Sequence, residues 1–296
     1  MTIINFGSIN IDHVYQVPHF VQPGETLASN SYQKLLGGKG ANQSIALAKA
    51  GSEVNHVGLI NESDFAFKQT LIREGVNCKY VKGSEVASGH AIIQVSDSGE
   101  NSIVLFAGAN HEIDQALVNQ ALADATEEDW VLLQNETSAI AEVMRSAKDK
   151  GMKVAFNPAP MTDSVKQLPL ELVDLLIVNE VEAEALTGHT DLEEIERYCQ
   201  DNLDGCEVIV TLGSKGAQLL RANENVFASA FKVDAVDTTA AGDTFIGFFL
   251  SAYVSGIDAE QCIKQACAAS AIAVTRMGAA QSIPSQEEVH AFLAKQ

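Results

Sequence analysis

The run VLLQNETSAIAEVMRSAKDKGMKVAFN, residues 131–157, contains one full copy of the pattern that decides the fold. It opens with Val131–Gln134, an apolar stretch too short for a helix and bounded by polar residues, which reads as a buried strand. Ala139–Lys150 then carries apolar residues at helical spacing, and Gly151 follows where a helix C-terminus favours a left-handed residue. Val154–Asn157 is a second apolar run, which completes a strand–helix–strand unit.

The same alternation extends outward to both ends. Ile3–Ile9, Val54–Ile60, Leu175–Asn179 and Val208–Leu212 read as further buried strands. Ala41–Ala50 and Leu192–Asn202 read as helices, the first closed by Gly51. The expectation is an α/β fold: a mainly parallel, Rossmann-like central sheet with helices on both faces. Two segments break the alternation. Val14–Tyr32 carries Pro18, Pro23 and Gly24 as turn signals, and Gly89–Phe106 holds two β-rich runs around Asp97, Ser98 and Gly99. Neither has room for a helix. They are expected as a small antiparallel lid sheet, inserted at about 14–32 and 89–106 into one domain spanning 1–296. An open sheet with an apolar face seeks a partner, so a homodimer through the lid is expected.

Composition narrows the function classes. The 296 residues are 46% apolar with six prolines, the profile of an ordered globular chain. A formal charge of −20 argues against nucleic acid, whose phosphates are neutralised by Lys and Arg. It also means that any phosphate-bearing ligand must be held locally, by backbone N–H groups, a lysine or a metal. No apolar run is long enough to span a bilayer, and MTIINFGSIN lacks the basic flank of a signal peptide, so no membrane partner is expected. The five cysteines are sparse, odd in number and without zinc-knuckle spacing, which suits reduced thiols in a cytoplasmic protein.

Chemistry concentrates in four places. In DTTAAGDTF, residues 237–245, Ala240, Ala241 and Gly242 precede an apolar helical run that ends at Gly256. Small residues at a helix entrance leave its unpartnered N–H groups open to an anion. Asp243 beside such an anion repels it as a binding group but suits a base that takes a proton from an attacking hydroxyl. The plainer alternative makes Asp243 an N-cap and Asp237 a turn residue. In LLGGKGANQSIALAKAG, residues 35–51, Gly38, Lys39, Gly40 and Asn42 suggest close approach of backbone to a polar ligand; the spacing is not that of a Walker loop. Asn179 and Glu182 follow the strand LLIV, where Glu182 suits water-mediated magnesium or an ordinary acidic helix start. Thr211–Gly216, TLGSKG, offers hydroxyl, lysine and glycine backbone to nucleotide phosphates. Asn10, Asp12 and Glu136 are lone polar residues after strands, where a polyhydroxylated ligand would supply partners.

These pieces in this order resemble the ribokinase-like family of carbohydrate kinases over nearly the whole chain. The motifs are GSINIDH at 7–13, GGKGANQ at 37–43, NPAP at 157–160, NEVEAEALTG at 179–188, TLGSKG at 211–216, DTTAAGDTF at 237–245 and AVTRMGA at 273–279. GGKGANQ with N-x-D near the start is similar to the ribose-phosphorylating branch rather than to fructokinases or adenosine kinases. The resemblance implies transfer of the ATP γ-phosphoryl group to the 5-hydroxyl of D-ribose, with a deoxyribose kinase or another pentose or nucleoside kinase as the alternative. It implies Asp243 as catalytic base and Ala240, Ala241 and Gly242 as an anion hole. Asn10, Asp12, Gly38, Lys39, Gly40, Asn42 and Glu136 match sugar-binding positions. Asn179, Thr211, Gly213, Ser214, Lys215, Gly216, Gly242 and Cys267 match the nucleotide site. Glu182 matches the magnesium-linked glutamate, while Asp237, Thr239, Ala273, Arg276, Gly278 and Ser282 match an activating potassium site. The chain departs from the pattern at NESDFA, 61–66, where relatives often carry a G-x-D-x-x-G-like turn. It departs again at Cys267, where they often use His or Asn.

Overall fold

The computed structural model describes residues 1–203, 205–221 and 224–296. In chain order the first strands are β1 (Ile3–Phe6), β2 (Asn10–Val17), β3 (Ser31–Gly37), β4 (Val54–Asn61), β5 (Asn77–Ser84), β6 (Gly89–Ser96) and β7 (Asn101–Phe106). There follow β8 (Trp130–Gln134), β9 (Lys153–Asn157), β10 (Leu175–Asn179), β11 (Glu207–Thr211), β12 (Gly216–Leu220) and β13 (Val226–Ser229). The α-helices are α1 (Lys39–Lys49), α2 (Phe65–Arg73), α3 (Gln115–Ala121), α4 (Ile140–Asp149), α5 (Glu180–Thr187), α6 (Leu192–Asn202), α7 (Ala241–Val254), α8 (Ala259–Ala273) and α9 (Gln286–Leu293).

Nine strands form the central sheet in the order β13-β12-β11-β10-β9-β8-β1-β4-β5. It is parallel from β11 to β5 and antiparallel only at the β11–β12 and β12–β13 pairs. Side chains alternate across it and feed two cores. Leu132, Ile177 and Ile209 face the layer built by α1, α7 and α8, among Ile45, Phe248, Phe249 and Ile263. Val131, Leu133, Leu176, Val178, Val208 and Val210 face the opposite layer with Val143, Met144 and Ile195. Strands buried on both faces have no polar face to display, which is why they read as continuous apolar runs.

The second sheet has the order β3-β2-β6-β7. Its outer pairs are antiparallel, as expected of the lid, while its central pair β2–β6 is parallel. The chain leaves β2–β3 for the central sheet and returns to β6 only after β5, a crossover long enough for parallel pairing. The ladders also reach further than 14–32: β2 starts at Asn10 and β3 ends at Gly37. Edge strand β7 leaves Ile103, Val104, Leu105 and Phe106 at least half exposed. At the NESDFA departure, Asn61 Oδ1 accepts from the Ser63 N–H, and a short 3-10 turn leads into α2. Strands β5, β12 and β13 were not expected from the sequence.

Candidate active site

The helix at the DTTAAGDTF run begins three residues earlier than a cap at Asp243 would require. Ala240 is its N-cap, in the left-handed region at φ 59°, and makes no side-chain cap hydrogen bond. A non-glycine residue there is strained. Asp243 therefore sits in the first turn rather than at the cap, 8% exposed. Asn42 Nδ2 donates to its Oδ2 at 3.0 Å and Gln43 Nε2 to its Oδ1 at 2.9 Å. The Ala241 N–H donates to the Thr238 carbonyl at 3.2 Å. The N–H groups of Ala240, Gly242 and Asp243 meet no acceptor among the described residues. A Cβ placed on Gly242 would touch nothing within 4 Å, so the approach to those donors is open. The expected trio of amides is thus altered: Ala241's is engaged within the turn, and that of Asp243 itself is free.

The glycine loop 37–40 leads from β3 of the second sheet into α1, whose first turn reaches Asp243. Helix α1 begins at Lys39, earlier than Ala41, because Gly40 packs where a Cβ would lie 2.3 Å from the Gly7 Cα. Gly37 leaves space for the Asp12 carboxylate, which a Cβ would meet at 2.1 Å. Glu136, after β8, accepts from the Ser8 hydroxyl and from the Lys39 N–H at 3.1 Å. Asn10, after β1, accepts at Oδ1 from Asn110 Nδ2 at 2.7 Å. The Oδ1 of Asn42 is buried and has no partner among the described residues, a group poised to accept from a ligand hydroxyl.

Electrostatics link these residues. Burial, reinforced by the Glu136 carboxylate, pushes the Asp12 carboxyl up to about 7. Burial also raises Glu136, against the Ser8 hydrogen bond and the Lys39 charge. Burial works to lower the Lys39 ammonium, but the carboxylates of Asp243, Glu136 and Glu182 outweigh it and hold the group above its ordinary value. One lysine thus faces three acids, an arrangement that keeps a cation in place for an anionic ligand.

Lys39, Asn157, Asn179, Glu182, Thr211, Thr238, Ala240, Gly242 and Asp243 line one cleft at the carboxyl ends of β9, β10 and β11. Open parallel sheets collect ligands at such ends. Asn179 caps α5: its Oδ1 accepts from the Glu182 N–H at 2.8 Å, while Glu182 Oε2 accepts from the Asn179 N–H at 3.0 Å. The capping alternative is therefore realised, with Glu182 Oε1 left over. Burial raises the Glu182 carboxyl, opposed by that backbone hydrogen bond and by Lys39. A single, half-buried carboxylate with a spare oxygen fits magnesium that keeps most of its water.

The TLGSKG turn closes through the Leu212 N–H to the Gly216 carbonyl at 2.8 Å. Gly213, Ser214 and Lys215 stay exposed on it, and Lys215 Nζ pairs with Glu180 at 3.1 Å. Cys267, expected against the nucleotide base, is 5% exposed and packs with the apolar core, and burial pushes its thiol up to about 12. The Asp237 carboxylate accepts from the N–H groups of Thr239 at 2.9 Å and Gly278 at 2.8 Å. The carbonyls of Asp237, Thr239, Arg276 and Gly278 accept no N–H among the described residues, whereas Ala273's accepts from Arg276 at 3.0 Å. The Arg276 side chain turns out to Glu288, and the Ser282 hydroxyl donates to the Ala279 carbonyl at 2.7 Å. Carbonyl oxygens without an N–H partner among the described residues, together with the Asp237 carboxylate, are the donor chemistry that a hard monovalent cation takes.

Sequence reading missed Ser8, Gln43, Asn110 and Asn157 as members of this site. Ser8, Gln43 and Asn157 lie inside the motifs GSINIDH, GGKGANQ and NPAP, which was the available signal. Asn110 had none.

Residues 2–286 match the pattern of the pfkB family carbohydrate kinases. The chain belongs to that family. Among pfkB relatives, it is 40% identical to a ribokinase of Haemophilus influenzae, over 99% of this chain and 98% of that protein. It is 33% identical to a deoxyribokinase of Salmonella typhimurium over 99% of each. It superposes on an Arabidopsis thaliana ribokinase complexed with ribose and ATP at a TM-score of 0.86, with 31% identity over 99% of this chain and 98% of the other. The large parallel sheet, its helices and the small second sheet are thus those of this kinase family.

Proposed function

We propose that the protein transfers the γ-phosphoryl group of ATP to the 5-hydroxyl of D-ribose, giving D-ribose 5-phosphate. The observation that carries the reading is Asp243: a buried carboxylate, held by two side-chain amides, beside open N–H groups at a helix entrance. Asp243 takes the proton of the attacking hydroxyl, while the amides of Ala240, Gly242 and Asp243 receive the charge that builds on the transferred group. The Ala241 amide joins them only if its turn bond opens. Asn10, Asp12, Gly38, Lys39, Gly40, Asn42 and Glu136 hold the sugar. Asn179, Thr211 and the 213–216 turn hold the nucleotide, with Cys267 adding apolar surface to its base site and Lys39 offsetting phosphate charge.

Glu182 would hold magnesium through water, and the ion would neutralise phosphate charge. Asp237, Thr239, Arg276 and Gly278, with Ala273 and Ser282 at the margin, would hold potassium behind the anion hole and stiffen that loop. The whole chain would act as one kinase domain, the second sheet closing over the sugar as a lid in a cytoplasmic homodimer. The exposed apolar strand β7 supports that pairing. The likeness to a deoxyribokinase favours 2-deoxyribose as the second candidate acceptor. ATP consumption measured across ribose, 2-deoxyribose, hexoses and nucleosides tests the assignment. Ribose is expected to give the highest kcat/KM, and preference for any other acceptor would replace it.

A further inference from the structure

Behind Asp243 lies a chain of side-chain amides that the reaction itself does not use. Gln43 Nε2 donates to Asp243 Oδ1 at 2.9 Å, and Gln43 Oε1 accepts from Gln134 Nε2 at 2.8 Å. Gln134 Nε2 also donates to Asn5 Oδ1 at 2.9 Å, and Asn5 Nδ2 donates to the Gly40 carbonyl at 2.9 Å. Asn5, Gln43 and Gln134 are fully buried, with 0% exposure. Ends of the chain are groups that only accept: a backbone carbonyl and a carboxylate. Every amide between them therefore has one orientation. A branch from Gln43 to Asn157 Oδ1 at 3.4 Å, with Asn157 Nδ2 donating to the Ile177 carbonyl at 2.9 Å, fixes the same sense.

We infer that Gln43 is a positioning residue for Asp243, its amide held in the donating sense by Gln134 and Asn5, so that the glycine loop at Gly40 and the base are aligned by one buried network. The inference rests on Asp243 being the base. The alignment has two consequences. A donor on Oδ1 and another, from Asn42, on Oδ2 fix the plane of the carboxylate and its place beside the helix entrance. The remaining lone pairs stay directed into the cleft. The charged groups acting on Asp243 are Lys39, Glu136 and Glu182, and none of them touches the amide chain.

Three variants test this. Gln43→Met keeps the length of the side chain and removes the donor. Gln134→Glu never touches Asp243 but replaces the amide donor to Gln43 with a carboxyl group that, when ionised, only accepts and so opposes the donating sense of the Gln43 amide. Both are expected to lower kcat about tenfold or more and to move the acid limb of the kcat profile up by about half a pH unit or more. Ribose affinity by calorimetry is expected to change less than about threefold, because the sugar contacts remain. If Gln134→Glu fails to fold, Gln134→Met, which removes the donor without reversing the amide, is expected to fall between wild type and Gln43→Met. A folded Gln43→Met with a wild-type acid limb, or a loss confined to ribose affinity, overturns the inference. Asp243→Asn separates the two layers: if it is inactive while Gln43→Met behaves as wild type, only the positioning role fails, whereas an active Asp243→Asn removes the base itself.

Discussion

The side-chain amide of Asn42, in the first turn of α1, donates to Oδ2 of Asp243, in the first turn of α7, at 3.0 Å. Two helix starts separated by 201 positions thus meet at one carboxylate. The other atom of that amide, Oδ1, is buried and has no partner among the described residues. A residue that donates to the base with one end and offers an acceptor to the substrate with the other can set their relative geometry, where small misplacements are costly.

Gly242 separates fold from chemistry. A side chain there meets no neighbour, so Gly242→Val should leave the melting temperature within a few degrees of wild type. It would nevertheless cover the open amides, and kcat should fall by about a hundredfold or more. Calorimetric melting and a coupled ADP assay on the same preparation check both halves.

Asp12 makes stability depend on pH. Its folded-state carboxyl sits near 7, above the ordinary carboxylate value of 3.8, so the native state holds more protons than the unfolded chain between those values. That contribution is complete below about 4 and is lost as pH rises through about 7. Asp12→Asn should abolish this part of the slope and be more stable than wild type at pH 8 in the absence of sugar, while ribose affinity drops. Denaturant titrations at pH 5 and pH 8 measure it.

The exposed strand β7 predicts the assembly. Leu105→Glu together with Phe106→Glu places a charge on each face of the strand, and sedimentation should shift from dimer to monomer. A wild-type chain that already sediments as a monomer would remove the proposed dimer, and a dimer that persists after the change would place its contact elsewhere.

Activity should rise with potassium and not with tetramethylammonium, because the free carbonyls near Asp237 suit a small bare cation. Asp237→Ala also removes the acceptor for the Thr239 and Gly278 N–H groups, so it should raise the potassium concentration needed for half-activation. Initial rates across a potassium series at constant ionic strength show this.

Much of the fold was legible because physics wrote it twice. The strands at Leu175–Asn179 and Val154–Asn157 are apolar on both faces, and Gly51 and Gly151 close their helices at φ 94° and 74°. Strands β5, β12 and β13 lie at the sheet margins, are shorter of apolar residues or alternate, and so left a weaker mark. The expected lid segment begins at Val14, whereas β2 starts at Asn10: the polar Asn10 and Asp12 break its apolar pattern. The parallel β2–β6 pair depends on a crossover through another sheet, which no local pattern encodes. At the site, residue types near strand ends could be read, but who holds whom could not. The Ala241 amide engaged by Thr238 and the burial of Cys267 are matters of backbone path. The Gln43–Gln134–Asn5 chain needs three segments brought together.

The central claim is that Asp243 delivers a primary alcohol of ribose to the ATP γ-phosphorus. Carbon NMR of the product formed from uniformly labelled ribose and ATP tests it most directly, run in parallel on wild type and Asp243→Asn. Wild type should yield phosphorus coupling at C5, and Asp243→Asn, still binding ribose, should form that product at least about a thousandfold more slowly. A product whose phosphorus couples to ring carbons with no coupling at C5, or product from Asp243→Asn at a rate near that of wild type, would contradict the account.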